Sequence, residues 1–215
     1  MPAFVQSAQG AWVSGTTYTI TFATNPGAGA LVVVAFDTRS GWNVSSVSGL
    51  GATWTGRTFQ NDGLNSSQIY EGRNCSGASA VITVTMQNAG LTHSRAVALE
   101  FSGMKTSSVF DAQNGTTGSS STASTSVTST AAGVVVASVA EWNQDINLTP
   151  ASPWVVVASG FNRMGVAYRI NAAGAVNTST WGFMNPANFG ISAAAFFSQP
   201  TPAGSINRLV SGVFS

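Results

Sequence analysis

Hydrophobic side chains recur along this chain at every second position, and that period constrains its fold more than any other feature. Tyr18, Ile20 and Phe22 alternate with Thr17, Thr19 and Thr21, the pattern of a strand with one buried face. Ile82, Val84 and Met86 do the same among Val81, Thr83 and Thr85, and Met164, Val166, Tyr168 and Ile170 repeat it. Two valine-rich runs, Leu31 to Phe36 and Val134 to Val139, read as strands covered on both faces; their shortness and valine content favour strand over helix. Asn25-Pro26-Gly27, Asn61-Asp62-Gly63, Asn114-Gly115 and Asn185-Pro186 supply turn chemistry between the runs. No segment carries an amphipathic helical stripe with caps. The expectation is an all-β fold, an antiparallel β-sandwich of jelly-roll or immunoglobulin-like kind.

An internal echo bears on domain count. A displacement of 100 residues carries Trp42-Asn43 onto Trp142-Asn143 and Trp54 onto Trp154. In each half a valine run precedes these tryptophans, a tyrosine strand follows (Gln68-Ile69-Tyr70, then Val166-Ala167-Tyr168), and an Ala/Phe strand closes it (Ala96 to Phe101, then Ala193 to Phe197). Two tandem sandwiches or two halves of one would both explain this. We expect one merged domain over residues 1–198, with pseudo-repeats of about 1–103 and 104–198. The connecting stretch from Gly115 to Thr130 has the Ser/Thr richness of a linker, yet its β-branched content and lack of proline also suit an edge strand. Residues 199–215 stand apart as a C-terminal tail. Its Ile206, Leu209, Val210, Val213 and Phe214 are too few to fold alone. They could dock on their own sandwich or serve as a partner-binding arm on a neighbouring subunit.

Composition removes whole classes of function. Only 7% of the residues are charged, against roughly a quarter in ordinary soluble domains. Eight Lys and Arg at a net charge of +1 make no footprint for nucleic acid. One Cys precludes an internal disulfide and, with one His, any zinc site rich in those ligands. No apolar run approaches the roughly 18 residues of a membrane helix. The start, Met1-Pro2-Ala3-Phe4-Val5-Gln6, lacks the basic and apolar regions of a signal peptide. Six Trp and twelve Phe within 44% hydrophobic residues are enough to build a core.

Few residues suggest chemistry. A serine triad would need His93, but no G-x-S-x-G elbow is present and His93 reads as a turn residue. Cys75 has no His or Cys beside it and reads as a buried or turn thiol. Asp37, Glu71, Glu100 and Glu141 lie on or beside expected strands, with no two marked as a glycosidase pair. By alternation Glu100 points away from Val97, Leu99 and Phe101, towards solvent or a partner, and Glu71 shares a face with Arg73 and pairs with it. No D-x-D-x-D run marks a calcium loop. Neither a metal nor a cofactor is expected. Trp12, Trp42 and Trp142 sit near turn residues, where exposed rings could stack on sugars. Matching placement in both halves is first what symmetric packing predicts.

An ordered series of strings adds a resemblance. Ala96-Val97-Ala98-Leu99-Glu100-Phe101-Ser102-Gly103-Met104 is followed by Ser107-Ser108-Val109-Phe110-Asp111, the Ser/Thr stretch and Thr130-Ala131-Ala132-Gly133-Val134-Val135-Val136. Taken with Val44-Ser45-Ser46-Val47 and Trp54-Thr55, the series resembles a loosely defined group of β-sandwich modules. These occur in bacteriophage virion proteins and in bacterial surface proteins, and the likeness runs over residues 3–198. The group shares no catalytic residues, and the separate tail departs from its pattern. The resemblance implies a non-enzymatic virion structural protein, made in the host cytoplasm. Its expected role is capsid decoration, a cement protein bridging subunits of the major capsid protein or other virion proteins. Homo-oligomers, dimers or trimers, are expected, with no nucleic-acid or membrane partner. The alternative is a receptor- or carbohydrate-binding module using Trp12, Trp42 and Trp142.

Overall fold

The computed structural model describes residues 1–10, 16–39, 42–88, 94–142, 146–147, 153–158 and 164–200. Strands β1 (Ala3–Gln9), β2 (Thr17–Thr21), β3 (Leu31–Arg39), β4 (Val44–Gly49), β5 (Thr53–Asn61), β6 (Asn65–Arg73), β7 (Val81–Met86) and β8 (Ser94–Ser102) make up the first half. The second half holds β9 (Phe110–Thr128), β10 (Gly133–Glu141), β11 (Ile146–Asn147), β12 (Val155–Ala158), β13 (Met164–Asn171) and β14 (Val176–Phe197). No helix occurs among the described residues, and the fold is all-β with antiparallel pairing throughout.

Alternation along the central strands stacks the sheets. On β3, Val32, Val34 and Phe36 face a core shared with Tyr18 and Ile20 of β2 and with Ile82 and Val84 of β7. Leu31, Val33 and Ala35 face the other way, into a core with Val134 and Val136 of β10, Val166 of β13 and Phe196 of β14. On β10, Val135, Ala137 and Val139 then turn outward to Trp154, Trp181, Phe189 and Val127. Three cores imply four layers. Each fully buried Val, Leu or Phe contributes roughly 1.5–3 kcal/mol, so both valine runs are stabilising on both faces.

The layers are built in matching order. The inner sheet of the first half runs β1-β8-β3-β6-β5, under an outer sheet β2-β7-β4. In the second half β10 sits between β14 and β13, with β9 beyond β14 and β12 beyond β13. This is the same order, β9-β14-β10-β13-β12. The outer layer here comes from the same long strands. β9 and β14 lose register between Gly182, opposite Thr122, and Ala187, opposite Ser120. The four residues from Phe183 to Asn185-Pro186 thus oppose one on β9, a wide irregularity that bends the ribbon back over its own sheet. Thr122–Thr128, Val176–Gly182 and β11 form that outer layer. The Ser/Thr stretch after Gly115 is therefore strand, its Ala123, Thr125 and Val127 turned inward and buried.

The two inner sheets meet face to face. At one corner Phe4 of β1 stacks on Tyr168 of β13; at the opposite corner Arg57 of β5 lies over Phe110 of β9. Elsewhere the interface is close and hydroxyl-lined. Ser67 donates through Oγ to the Ser138 carbonyl at 3.1 Å, and Ser192 Oγ donates to the Ser67 carbonyl at 3.0 Å. Gly115 is required here: a Cβ would lie 2.6 Å from Gln60 Cγ and from the Ile191 carbonyl.

Candidate functional surfaces

The outermost layers carry the most regular exposed chemistry. On β2, Tyr18 and Ile20 point into the core, which leaves Thr17, Thr19 and Thr21 exposed outside. The register places Thr85 and Ser46 beside Thr17, Thr83 and Ser48 beside Thr19, and Val81 beside Thr21. In the second half Thr180 pairs with Ser124, Thr178 with Ser126 and Val176 with Thr128. Valine therefore ends both arrays at the same place, opposite a threonine. Hydroxyls repeat at about 6.8 Å along a strand and about 4.8 Å across strands. Ser124 and Thr180 hydroxyls are 3.0 Å apart, and those of Ser126 and Thr178 are 2.8 Å apart. No Asp, Glu, Lys or Arg occurs on β2, β4 or β7, in 122–128 or in 176–182. A hydroxyl both donates and accepts, and costs far less to desolvate than a charge. Among the described residues these strands thus present, at both extremities of the stack, outward faces without charge, able to bond to a partner of either polarity.

The tryptophans divide by role. Trp54 packs partly buried against the first core, lies over Gly72 and donates Nε1 to the Gly49 carbonyl at 3.1 Å. Trp154 is buried and donates Nε1 to the Thr178 carbonyl at 2.9 Å. Trp181 is wholly buried. Trp42 is half-buried against the first core, and its carbonyl accepts from Thr38 Oγ1 at 2.6 Å and Ser66 Oγ at 2.9 Å. Trp142 is half-buried, and its N–H donates to the Asn188 carbonyl at 3.2 Å, which also accepts from Asn65 Nδ2. The backbones of Trp42 and Trp142 are thus tied to one short stretch, Asn65-Ser66 with Asn188. Trp12, His93 and the tail residues Ile206, Leu209, Val210, Val213 and Phe214 lie outside the described residues.

The acidic side chains of Glu71, Glu100, Asp62 and Asp111 are engaged in structure. Glu71 is fully buried, 2.5 Å from Arg57 Nη2 and 3.3 Å from Arg73 Nε, so the expected partner Arg73 is joined by Arg57 from β5. Glu100 corrects the solvent half of an expectation: it is 2% exposed, at the edge of a cleft that it lines with Gly27 and Ser102. Its Oε1 accepts from the Gly27 N–H at 2.8 Å and its Oε2 from Gln6 Nε2 at 2.7 Å. Asp62 caps its own hairpin through the N–H groups of Leu64 and Asn65, and Asp111 accepts from the Thr130 N–H and hydroxyl. Cys75 is buried, and burial, with the Glu100 charge nearby, pushes its thiol up to about 11. It is a protonated, unreactive thiol at neutral pH. No grouping of His, Cys, Asp and Glu suited to a metal occurs among the described residues.

The outward hydroxyl arrays were readable as alternation in T-Y-T-I-T, V-I-T-V-T and V-N-T-S-T, but their pairing into faces needs the register. No family model, curated protein or solved structure matches the chain.

Proposed function

We propose that the protein is a non-enzymatic virion structural protein, a capsid decoration or cement protein that bridges neighbouring shell subunits. The observation that carries this reading is the pair of matching, charge-free Ser/Thr faces at the two ends of a four-layer stack. A bridge needs two docking surfaces held at a fixed separation. Three continuous cores supply the rigidity, and hydroxyl faces dock with a small desolvation penalty and little dependence on salt. The resemblance to phage β-sandwich modules supports the setting, with the major capsid protein as partner, and homo-oligomers at a symmetry axis fit the same role.

Quantification of this protein against the major shell protein in purified particles tests the reading. Hundreds of copies per particle, and shells that break more easily without it, are expected. A handful of copies whose loss abolishes adsorption to the host would refute cementing and support a receptor-binding head. A second reading, carbohydrate binding, is favoured by half-buried Trp42 and Trp142, whose backbones are tied to Ser66 and Asn188. Quenching of tryptophan fluorescence by neutral polysaccharide, lost in Trp42→Ala and Trp142→Ala, would establish it.

A further inference from the structure

Glu100 is a buried carboxylate for which the described residues provide no counter-ion. It is 2% exposed, and its two hydrogen bonds come from neutral donors, the Gly27 N–H and Gln6 Nε2. Arg57 and Arg73 are both taken up by Glu71. Lys105, five residues along the chain, places its ammonium over the Phe197 ring, 4.4 Å from the centroid. A charge out of water is costly without a partner, and a carboxylate that lines a cleft offers its spare lone pairs to a cationic ligand.

Such a cleft is present. A half-open cavity of about 210 Å³ is lined by Gly27, Gly29, Glu100, Ser102, Gly103 and Thr106. That volume equals several water molecules, ample for one small head group. Gly29 and Gly103, with φ of +76° and +69°, supply the left-handed turns on the cavity wall, and Gly103 leaves no room for a side chain against the Met1 carbonyl. Among the described residues Glu100 is the one ionisable side chain in that lining. The charge reaches beyond its hydrogen bonds, since it helps hold the Cys75 thiol protonated.

We propose that this cleft binds one organic cation, a guanidinium or primary ammonium, with Glu100 as its counter-ion. A planar or tetrahedral N–H donor enters past Ser102 and Thr106 and bonds to the lone pairs of Glu100 that Gly27 and Gln6 leave unused. The rim supplies hydroxyl acceptors for the remaining N–H groups. One carboxylate without carboxylate neighbours does not make a site for a divalent metal ion, which takes six or more oxygens. The inference is independent of the virion reading: it concerns the isolated chain and survives if the protein decorates nothing.

The test is amide chemical-shift titration of the full chain with methylguanidinium and ethylammonium chloride at constant ionic strength. Saturable shifts confined to Gly27, Gly29, Gly103 and their neighbours are expected. E100Q should weaken the response at least about tenfold, the loss of one charge-assisted hydrogen bond. Should E100Q not fold, T106R gives the second reading: an arginine on the exposed rim fills the cleft from within, raises the melting temperature and abolishes the shifts. A capped arginine tetrapeptide that saturates below methylguanidinium would identify the source as a partner protein's side chain. Equal affinities would identify it as a free amine. Linear, unsaturated shifts, an unchanged response in E100Q, or saturation by calcium chloride with none by either organic cation would overturn the proposal.

Discussion

The two inner sheets meet at two corners that occupy matching places and use different chemistry. Where β1 crosses β13, Phe4 stacks on Tyr168 with centroids 4.9 Å apart, and Phe101 stands edge-on to both. Where β9 meets β5, Phe110 stands edge-on to Phe196, but the guanidinium of Arg57 takes the stacking position, 4.0 Å from the ring centroid. Glu71 holds that guanidinium from below. The ladders show the equivalence: Tyr168 lies between Val136 and Val155, and Glu71 between Val33 and Thr55. One corner is stabilised by aromatic area alone. The other depends on a buried charge keeping its partners, so it should be the more fragile to single changes and no stronger as a whole.

Arg57→Ala is therefore expected to have the largest effect. It strands a fully buried carboxylate with only Arg73 at 3.3 Å, a loss of about 3 kcal/mol by urea denaturation, the lower end for a broken buried pair. At the aromatic corner Tyr168→Leu keeps an apolar side chain and should cost about 1 kcal/mol, the value of the lost ring pairing. Equal losses would erase the distinction between the corners.

Alkaline pH separates the outer cores in the same manner. The first holds Cys75 and Tyr18, both pushed upward by burial; the second is built on Trp154, Trp181 and Phe189, which do not titrate. The native state keeps the Cys75 proton to about pH 11, whereas the unfolded chain releases it near its ordinary value of 9.0. Between those values the native state binds more protons, so stability falls as pH rises, by on the order of 2 kcal/mol from the thiol. Tyr18 adds to the fall above pH 10. Hydrogen exchange should show amides of β2 and β7 losing protection before those of 176–182, and Cys75→Ala should flatten the decline. Simultaneous loss in both layers would show that they do not open separately.

These corners also show what a one-dimensional pattern carries. The period of two places Glu100 opposite Leu99 and Phe101, and Glu71 on the face of Arg73, because side-chain direction is local. What covers a face is not local. The turn at Gly27 and the side chain of Gln6 reach Glu100 across 73 and 94 residues, so a side chain that reads as exposed is largely covered. Arg57 reaches Glu71 only through the pairing of β5 with β6. The valine runs are the converse case: apolar side chains on both faces can only mean cover on both faces, and the sequence is sufficient. Asn65-Ser66-Ser67-Gln68 reads as surface yet is buried, because its polar groups bond to the Trp42, Ser138 and Asn188 carbonyls.

A smaller effect tests whether the ion-paired corner has any intrinsic advantage. The double variant Arg57→Val, Glu71→Tyr copies the side chains at the matching positions Val157 and Tyr168. Removal of both charges avoids the stranded carboxylate, and Arg73, 27% exposed, can turn to water. Stability within about 1 kcal/mol of the parent is expected, as for other buried pairs replaced by packed apolar groups. A loss as large as that of Arg57→Ala would mean that the pair itself, and not merely its completeness, stabilises the corner.

The smallest effect on folding is expected at the outer faces, where the comparison turns from stability to docking. Thr83→Lys and Thr178→Lys occupy matching positions opposite Thr19 and Ser126. Each side chain points outward from a sheet, so each substitution should change stability by less than about 0.5 kcal/mol. A bridge that uses both faces makes a sharper demand on binding. A lysine on either face leaves the other able to dock, so each single variant should still load onto shells while failing to strengthen them. Only the double variant should fail to load. If one single variant abolishes loading and its counterpart has no effect, the two faces are alike in chemistry but not in use, and the protein caps its partner at one end instead of spanning two.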